Sequence, residues 1–281
     1  MKVAVLGSIN LDIVASGAAL PRAGETVSGA VLSRHPGGKG ANQAYAALKL
    51  GAEVALFGRV GRDAFADEAL ALLVEGGADL SGVVVDPAEP TGVALIAVSP
   101  EGENQISVCS GANAGVAAPE VIEADALVFQ LEIPIPVVTA ALDVFEGFKA
   151  VNLAPALAVP DSVFERADLL IVNETEAAFY GEALHRSGAI VALTLGAQGA
   201  ELWMGGVRIA KAAPPKVEVV DTTGAGDVFV AALTVALSEG QPPQEAVAFA
   251  CAAGALATTR PGAQPSAPSR AEVEAVLGAP A

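Results

Sequence analysis

The sequence predicts an α/β fold: a mostly parallel sheet covered by helices on both faces, with a small β-sheet lid projecting from it. Three observations carry this. Strand-like apolar runs alternate with segments of helical spacing along most of the 281 residues. The strand-like runs are continuous instead of alternating, as in strands buried on both faces. Two β-rich stretches, about residues 13–34 and 91–110, break the alternation. A chain of this length fits one large α/β domain, residues 1–281, with those two stretches as its lid.

In chain order, "KVAVLG" is the first buried strand. "GANQAYAALKLG" is a helix closed by Gly51, and "EVALFGRVG" is the next strand. "DAFADEALALLVEGG" is a helix with an acidic start and a glycine stop. "TGVALIAVSPEGENQISVCS" reads as a hairpin, two β-rich runs joined by "PEGEN". Together with "GETVSGAVLSR" it forms the lid, whose task is closure of a water-sensitive reaction, or a dimerising sheet, or both. "DALVFQLE", "KAVNLAP", "DLLIVNE" and "AIVALTLG" are further buried strands, each followed by a loop or helix. "PKVEVV" alternates like a strand, and the helical spacing resumes from Val228 to Leu237. "RPGAQPSAPS" is a loop before a last helix, "RAEVEAVLG".

Composition narrows the function. A net charge of −17 makes nucleic acid and anionic membranes poor partners. It does not forbid a phosphorylated small molecule, because a local anion hole outweighs a distant field that salt screens. The chain is 53% hydrophobic with mean hydropathy +0.52, yet no window of about 18 residues is purely apolar as a spanning helix requires. "MKVAVLGSIN" is too short an apolar run for a signal peptide, so the expected location is the cytoplasm. Cys109 and Cys251 show no CxxC spacing and no His cluster, and are expected as free buried thiols.

In an open parallel sheet, ligands bind at the carboxyl ends of strands. The polar residues placed there are Asn10 and Asp12 after the first strand, then Glu132 and Asn152. Asn173 with Glu176, Thr194 with Gly196, and the run Asp221 to Asp227 complete the set. Singly each reads as a cap or turn residue; together they outline a crevice. In "DTTGAGD", Gly224, Ala225 and Gly226 supply the first turn of a helix, whose unpaired N–H groups and dipole make an anion site. An ordinary helix start capped by Thr223 or Asp227 is the alternative. A carboxylate inside an anion site repels the anion unless it has a chemical task. Phosphoryl transfer to a hydroxyl supplies one, with Asp227 accepting the hydroxyl proton while the amides stabilise the transferred group.

"HPGGKGANQA" is a second glycine-rich helix start, and is neither a Walker A loop nor a dinucleotide turn. Lys39 suits phosphate, whereas glycine amides with Asn42 suit sugar hydroxyls; beside Asn10 and Asp12 the polyol reading is the better one. His35 shows no partner in the sequence and reads as a loop histidine. Asp221 lies six residues before Asp227, too early to share its task, and needs a positive partner. The constrained "ATTRPGAQPS" loop, with Gly262 and Ser266, can aim carbonyls at a large monovalent cation. Pairing of Asp221 with Arg260 is the alternative.

"GSINLD", "GETVSG", "GGKGANQA", "TGVALI", "EGENQISVCSGANA", "VNETEA", "TLGAQG", "DTTGAGD" and "TRPGAQPS" occur in this order across nearly the whole chain. With them the sequence resembles the ribokinase-like (PfkB) family of carbohydrate kinases, and within it the ribose-specific branch. The resemblance implies a doubly wound central sheet whose β lid also clasps a homodimer. It implies ATP with Mg²⁺, activation by K⁺, and ribose phosphorylated at its primary hydroxyl. Asp227 would be the base, with Gly224, Ala225 and Gly226 as anion hole. Asn10, Leu11, Asp12, Gly38, Lys39, Gly40, Ala41, Asn42 and Glu132 would line the sugar site. Asn173, Thr194, Leu195, Gly196, Ala197, Gln198, Gly199, Gly226, Asp227 and Cys251 would meet ATP, and Glu176 would organise Mg²⁺ through water. Asp221, Thr223, Ala257, Arg260, Gly262 and Ser266 would surround K⁺, several through backbone oxygen.

Two departures from the family pattern bear on nucleotide selectivity. The segment between Ala177 and Thr194 is short, and Cys251 stands where relatives place His or Asn. Three other readings compete with a ribose kinase: a family kinase for deoxyribose, a nucleoside or a keto-deoxy sugar acid; a catalytically silent sugar-binding protein; and, more remotely, a nucleoside hydrolase. The intact Asp227 and "GAG" argue against the second, and the lack of a calcium-binding acidic cluster against the third.

Overall fold

A computed structural model describes residues 1–100, 102–186 and 188–278. Its strands in chain order are β1 (Lys2–Leu6), β2 (Asn10–Ser16), β3 (Val31–Gly37), β4 (Glu53–Gly61), β5 (Asp79–Asp86), β6 (Gly92–Val98) and β7 (Asn104–Cys109). The remainder are β8 (Ala126–Gln130), β9 (Phe148–Asn152), β10 (Leu169–Asn173), β11 (Ile190–Thr194), β12 (Ala200–Met204) and β13 (Val207–Ala212). The helices are α1 (Lys39–Lys49), α2 (Ala64–Glu75), α3 (Ile135–Val144), α4 (Asp161–Arg166), α5 (Glu174–Tyr180), α6 (Ala225–Ser238), α7 (Pro243–Ala257) and α8 (Arg270–Gly278).

The large sheet has nine strands in the order β13-β12-β11-β10-β9-β8-β1-β4-β5. It is parallel except for β12 and β13, which return antiparallel at one edge. Successive residues of a strand point to opposite faces, and here both faces are core. Val3 and Val5 of β1 join the side packed by α1, α6 and α7, whereas Ala4 and Leu6 join the side packed by α3 and α4. That two-sided burial is why "KVAVLG" is uninterruptedly apolar. Helix starts are set locally: Asp63 caps α2 by accepting the Ala66 amide, and Asn173 and Glu176 form a reciprocal capping box on α5.

The small sheet has four strands in the order β3-β2-β6-β7. β2 pairs antiparallel with β3 and parallel with β6, and β6 and β7 form the hairpin. α2 packs against β2 and β3. Val31, Leu32, Leu95, Ile106 and Val108 of this sheet are exposed in the single chain.

Several details differ from the sequence reading. "PKVEVV" is not a strand. Val219 and Val220 are exposed, and the amides of Val220 and Asp221 bond to Thr258 O instead of to a ladder. Alternating β-branched residues signalled extended chain there, and no neighbouring strand is available to pair it. Asn10 and Asp12 follow β1 as expected, and they belong to β2, the lid strand. Within the two lid stretches, 17–30 holds no strand, while β2 begins earlier and β3 runs later than the pattern suggested. Glu101 of the "PEGEN" turn lies outside the described residues. Cys109 is exposed, not buried, because β7 is the edge of the small sheet; Cys251 is buried and both are free. The strands β5, β12 and β13 are not among those the sequence pattern predicts.

Candidate active site

Asp227 is the third residue of α6 and only 7% exposed. Its Oδ2 accepts from Asn42 Nδ2 at 2.9 Å, and its Oδ1 accepts from Gln43 Nε2 at 2.9 Å. The starts of α1 and α6 therefore face each other across one carboxylate. The turn into α6 needs glycine at 224: φ is 76°, and a Cβ would lie 2.7 Å from Ala263 Cα. Among the described residues, the amides of Gly224, Gly226 and Asp227 donate to no protein acceptor, whereas that of Ala225 bonds to Thr222 O at 3.3 Å. The open donors thus include Asp227's own amide and not Ala225's.

At the start of α1, Gly38 has φ 86°, and a Cβ there would lie 2.7 Å from Asn10 N. This close approach sets Lys39 beside the lid strand. The Lys39 amide donates to Glu132 Oε2 at 3.2 Å, and Ser8 Oγ donates to the same oxygen at 2.5 Å. The Lys39 ammonium is held above its usual range, chiefly by Asp227, against the opposing effect of burial, with Glu132, Glu176 and Asp12 adding to the attraction. Asp12 shows the reverse of that crowding. Burial, then Glu132 and Asp227, push its carboxyl up to about 7, and Lys39 only partly offsets them. So many acceptors round one ammonium suit a ligand bearing many hydroxyl donors.

Asn10 is 3% exposed, and its Oδ1 accepts from Asn113 Nδ2 at 2.7 Å. Asn113 is itself pinned to Ile9, accepting the backbone N–H at 2.9 Å and donating to the carbonyl at 3.1 Å. The Asn10 acceptor is thereby used, leaving its amide hydrogens for a ligand. Ser8, Asn10, Asn113 and Glu132 line one part of a cavity of about 540 Å³; Ile135 and Leu157 line another. Asn113 was missed in the sequence although "SGANA" was noticed, because its partners lie about a hundred residues away.

The strand ends at Asn173 and Thr194 are paired neighbours in the sheet. Beyond Thr194 the chain makes a tight turn, closed by Leu195 N to Gly199 O at 2.8 Å and Gln198 N to Leu195 O at 3.0 Å, with Gly196, Ala197 and Gln198 exposed. Cys251 on α7 lies beside it, its Sγ 3.6 Å from Ala212 O and its thiol pushed up by burial to about 11. Glu176 is also shifted up by burial, its capping bond to the Asn173 amide and the Lys39 charge notwithstanding.

Asp221 does not pair with Arg260, which pairs with Glu272. Its Oδ1 accepts the Thr223 amide at 2.9 Å and hydroxyl at 2.7 Å, and its Oδ2 accepts the Gly262 amide at 2.8 Å. Burial alone would raise the Asp221 carboxyl, but these donors, with His35 alongside, hold it below its ordinary value. His35 is thus not a loop residue: it lies in β3, with Nε2 3.0 Å from Ser33 Oγ. Among the described residues nothing donates to the Ala257 carbonyl at the end of α7, and Ser266, buried, donates to Ala263 O at 3.0 Å. No group of three or more His, Cys, Asp or Glu among the described residues is arranged to hold a metal.

A buried acid within electrostatic reach of Lys39 and Asp12, at a helix start whose amides are open, is the equipment of an enzyme that transfers a phosphoryl group to an alcohol. The chain belongs to the pfkB family of carbohydrate kinases, whose family model matches residues 1–270. It is 36% identical to a ribokinase of Bacillus subtilis over 98% of this chain and 99% of that one. A ribokinase structure from Thermotoga maritima superposes with TM-score 0.88 at 34% identity, covering 98% of both chains. An Arabidopsis thaliana ribokinase complexed with ribose and ATP superposes with TM-score 0.89 at 31% identity, covering 99% of both.

Proposed function

We propose that this sugar kinase transfers the γ-phosphoryl group of ATP to the primary hydroxyl of ribose, giving ribose 5-phosphate. The observation that carries the reading is Asp227, fixed at both oxygens and set between the hydroxyl-seeking residues and the open amides of α6. Asn10, Asp12, Lys39 and Glu132 hold the sugar. The hydroxyl oxygen bonds to the γ-phosphorus as the bond to the β–γ bridging oxygen breaks, and Asp227 takes the hydroxyl proton. The amides of Gly224, Gly226 and Asp227 stabilise charge on the transferred group. The similarity to ribokinases, one of them complexed with ribose and ATP, supports the choice of substrates.

Asn173, Thr194 and the Leu195–Gly199 turn, with Cys251, would hold the nucleotide. Glu176 commits one oxygen to its capping box and keeps the other, which fits a water-mediated contact to a Mg²⁺ carried by the phosphates. Mg²⁺ would neutralise phosphate charge. A K⁺ fits beside Asp221, where the Ala257 carbonyl has no donor and the negative end of the α7 dipole points outward. Thr223, Gly262 and Ser266 and the Arg260 backbone would complete its surroundings, and the ion would stiffen the turn into α6. The exposed apolar residues of the lid sheet fit a homodimer clasped through it. We place the enzyme in the cytoplasm, where Cys109 and Cys251 stay reduced.

ADP release measured over ribose, 2-deoxyribose, nucleosides and keto-deoxy sugar acids tests the reading. Ribose is expected to give the highest kcat/KM. Turnover of a nucleoside or keto-acid with neither pentose accepted overturns it.

A further inference from the structure

Gln43, which lies in "GGKGANQA" but has no role in the reading above, is a buried side chain in contact with Asp227. It is fully buried, and it hydrogen-bonds three polar partners, using both amide hydrogens and its oxygen. Its Nε2 donates to Asp227 Oδ1 at 2.9 Å and to Asn152 Oδ1 at 3.1 Å, and its Oε1 accepts from Gln130 Nε2 at 2.6 Å. Gln130 and Asn152 are register partners at the carboxyl ends of β8 and β9. The chain Gln130–Gln43–Asp227 therefore runs from the rigid floor of the sheet, through α1, to the start of α6. The fold makes room for it: a Cβ on Gly7 would lie 1.9 Å from Gln130 Oε1.

The polarity of this chain is chemically determined. An ionised carboxylate only accepts, so Gln43 must turn its nitrogen to Asp227 and its oxygen to Gln130. Flipping the Gln43 amide would set its oxygen against two other oxygens. The second oxygen of Asp227 is tied separately by Asn42, whose own Oδ1 accepts from Gln264 Nε2 at 3.3 Å. A carboxylate bound at one oxygen can still swing about its Cβ–Cγ bond. Bound at both, from two successive residues of one helix, its plane is set, and so is the direction of the lone pair left for a substrate proton.

We propose that Gln43 is a positioning residue for Asp227, oriented in turn by Gln130. This rests on the reading of Asp227 as general base. Gln43 touches no reacting atom; it sets the angle at which the base meets the sugar hydroxyl. A misplaced base costs turnover without weakening the sugar's grip, and misplacement of about 1 Å costs on the order of 10²-fold in rate.

The test is steady-state kinetics of Gln43→Leu and Gln43→Glu, with folding checked by circular dichroism and thermal melting. Gln43→Leu is expected to lower kcat on the order of 10²-fold, with KM for ribose changed less than about threefold. Gln43→Glu keeps the shape but presents a carboxylate to Asp227. Its kcat, taken as a ratio to the unmodified enzyme, should rise as pH falls and the new carboxyl regains a proton to donate. Asp12, Glu132, Glu176 and Lys39 surround the site in both proteins, so the uncharged Gln43→Leu variant is the control for their contribution. Gln43→Leu should show no such recovery. Should Gln43→Leu fail to fold, Gln130→Leu keeps the bond to Asp227 and removes only its orientation, and a loss of about tenfold in kcat is expected on the same principle. A folded Gln43→Leu or Gln130→Leu with unchanged kcat overturns the proposal, as does a kcat loss in Gln43→Glu that is flat with pH. If Asp227→Asn retains turnover, the base reading itself falls; if Asp227→Asn is inactive while Gln43→Leu turns over normally, only this inference falls.

Discussion

Asp227 and Asp12 are both buried carboxylates, yet they face different surroundings and make different predictions. Asp227 receives a carboxamide N–H on each oxygen. Its replacement in Asp227→Asn removes the proton acceptor, and kcat should fall about 10²–10⁴-fold while sugar binding by calorimetry persists; a loss under tenfold removes Asp227 from the role. Among the described residues the Asp12 carboxyl accepts no hydrogen bond, and burial, then Glu132 and Asp227, lift it to about 7. The folded-state value is thus raised, so the stability tied to its neutral form is fully present below pH 3.8 and is lost as pH rises through about 7. Asp12→Asn should therefore raise Tm more at pH 8 than at pH 5; an equal change at both contradicts the assigned cause. Since the ionised form is the better acceptor for sugar hydroxyls, KM for ribose should fall between pH 6 and 8 in the unmodified enzyme and stay flat in Asp12→Asn. These acids, with Asn10 and Lys39, were legible in the sequence because each stands in a short motif at a glycine-rich turn or strand end. Gln43 and Asn113 also stand in short motifs, but their roles were not legible, because they act on other side chains across long separations and no periodicity reports such contacts.

At the scale of elements, the start of α6 depends on a left-handed glycine packed on Ala263. Gly224→Ala should destabilise the fold by about 1–3 kcal/mol in denaturant melts and lower kcat, because the strain falls on the amides that meet phosphate. The turn carrying Asp221 is tied to the loop after α7 through Thr258 O and the Gly262 amide. A monovalent cation there should raise kcat through that turn: K⁺ is expected to activate and Li⁺ to do so poorly at matched ionic strength, and equal rates in both leave the ion without a role. Elements buried on both faces were readable, since two cores impose an unbroken apolar run. The edge strands β5 and β13 were less so, because a half-exposed strand mixes polar and apolar residues as loops do, and the short run of β12 beside the edge is interrupted by Glu201. "PKVEVV" erred in the opposite sense: its pattern specified an extended backbone, and pairing depends on a neighbour that local sequence does not encode.

Across the whole molecule, the small sheet is the feature that the single chain leaves incompletely covered. Ile106 and Val108 are 56% and 51% exposed on a strand whose outer edge is unpaired. Light scattering is expected to find a dimer at micromolar concentration, and Ile106→Lys with Val108→Lys to give a monomer with a raised KM for sugar. A fully active monomer of the unmodified chain contradicts this. The same sheet has a consequence for the waste of ATP. Asn10 and Asp12 ride on β2 of the small sheet, whereas Asp227 and the open amides ride on α6 of the large one. A sugar long enough to touch both would tie the two sheets together. Water is too small to touch both half-sites, and would therefore be a poor acceptor for the phosphoryl group. Idle hydrolysis of ATP without sugar should accordingly be slow, and erythrose, a tetrose lacking the terminal hydroxymethyl group of ribose, should speed it by joining the sheets around an empty acceptor position.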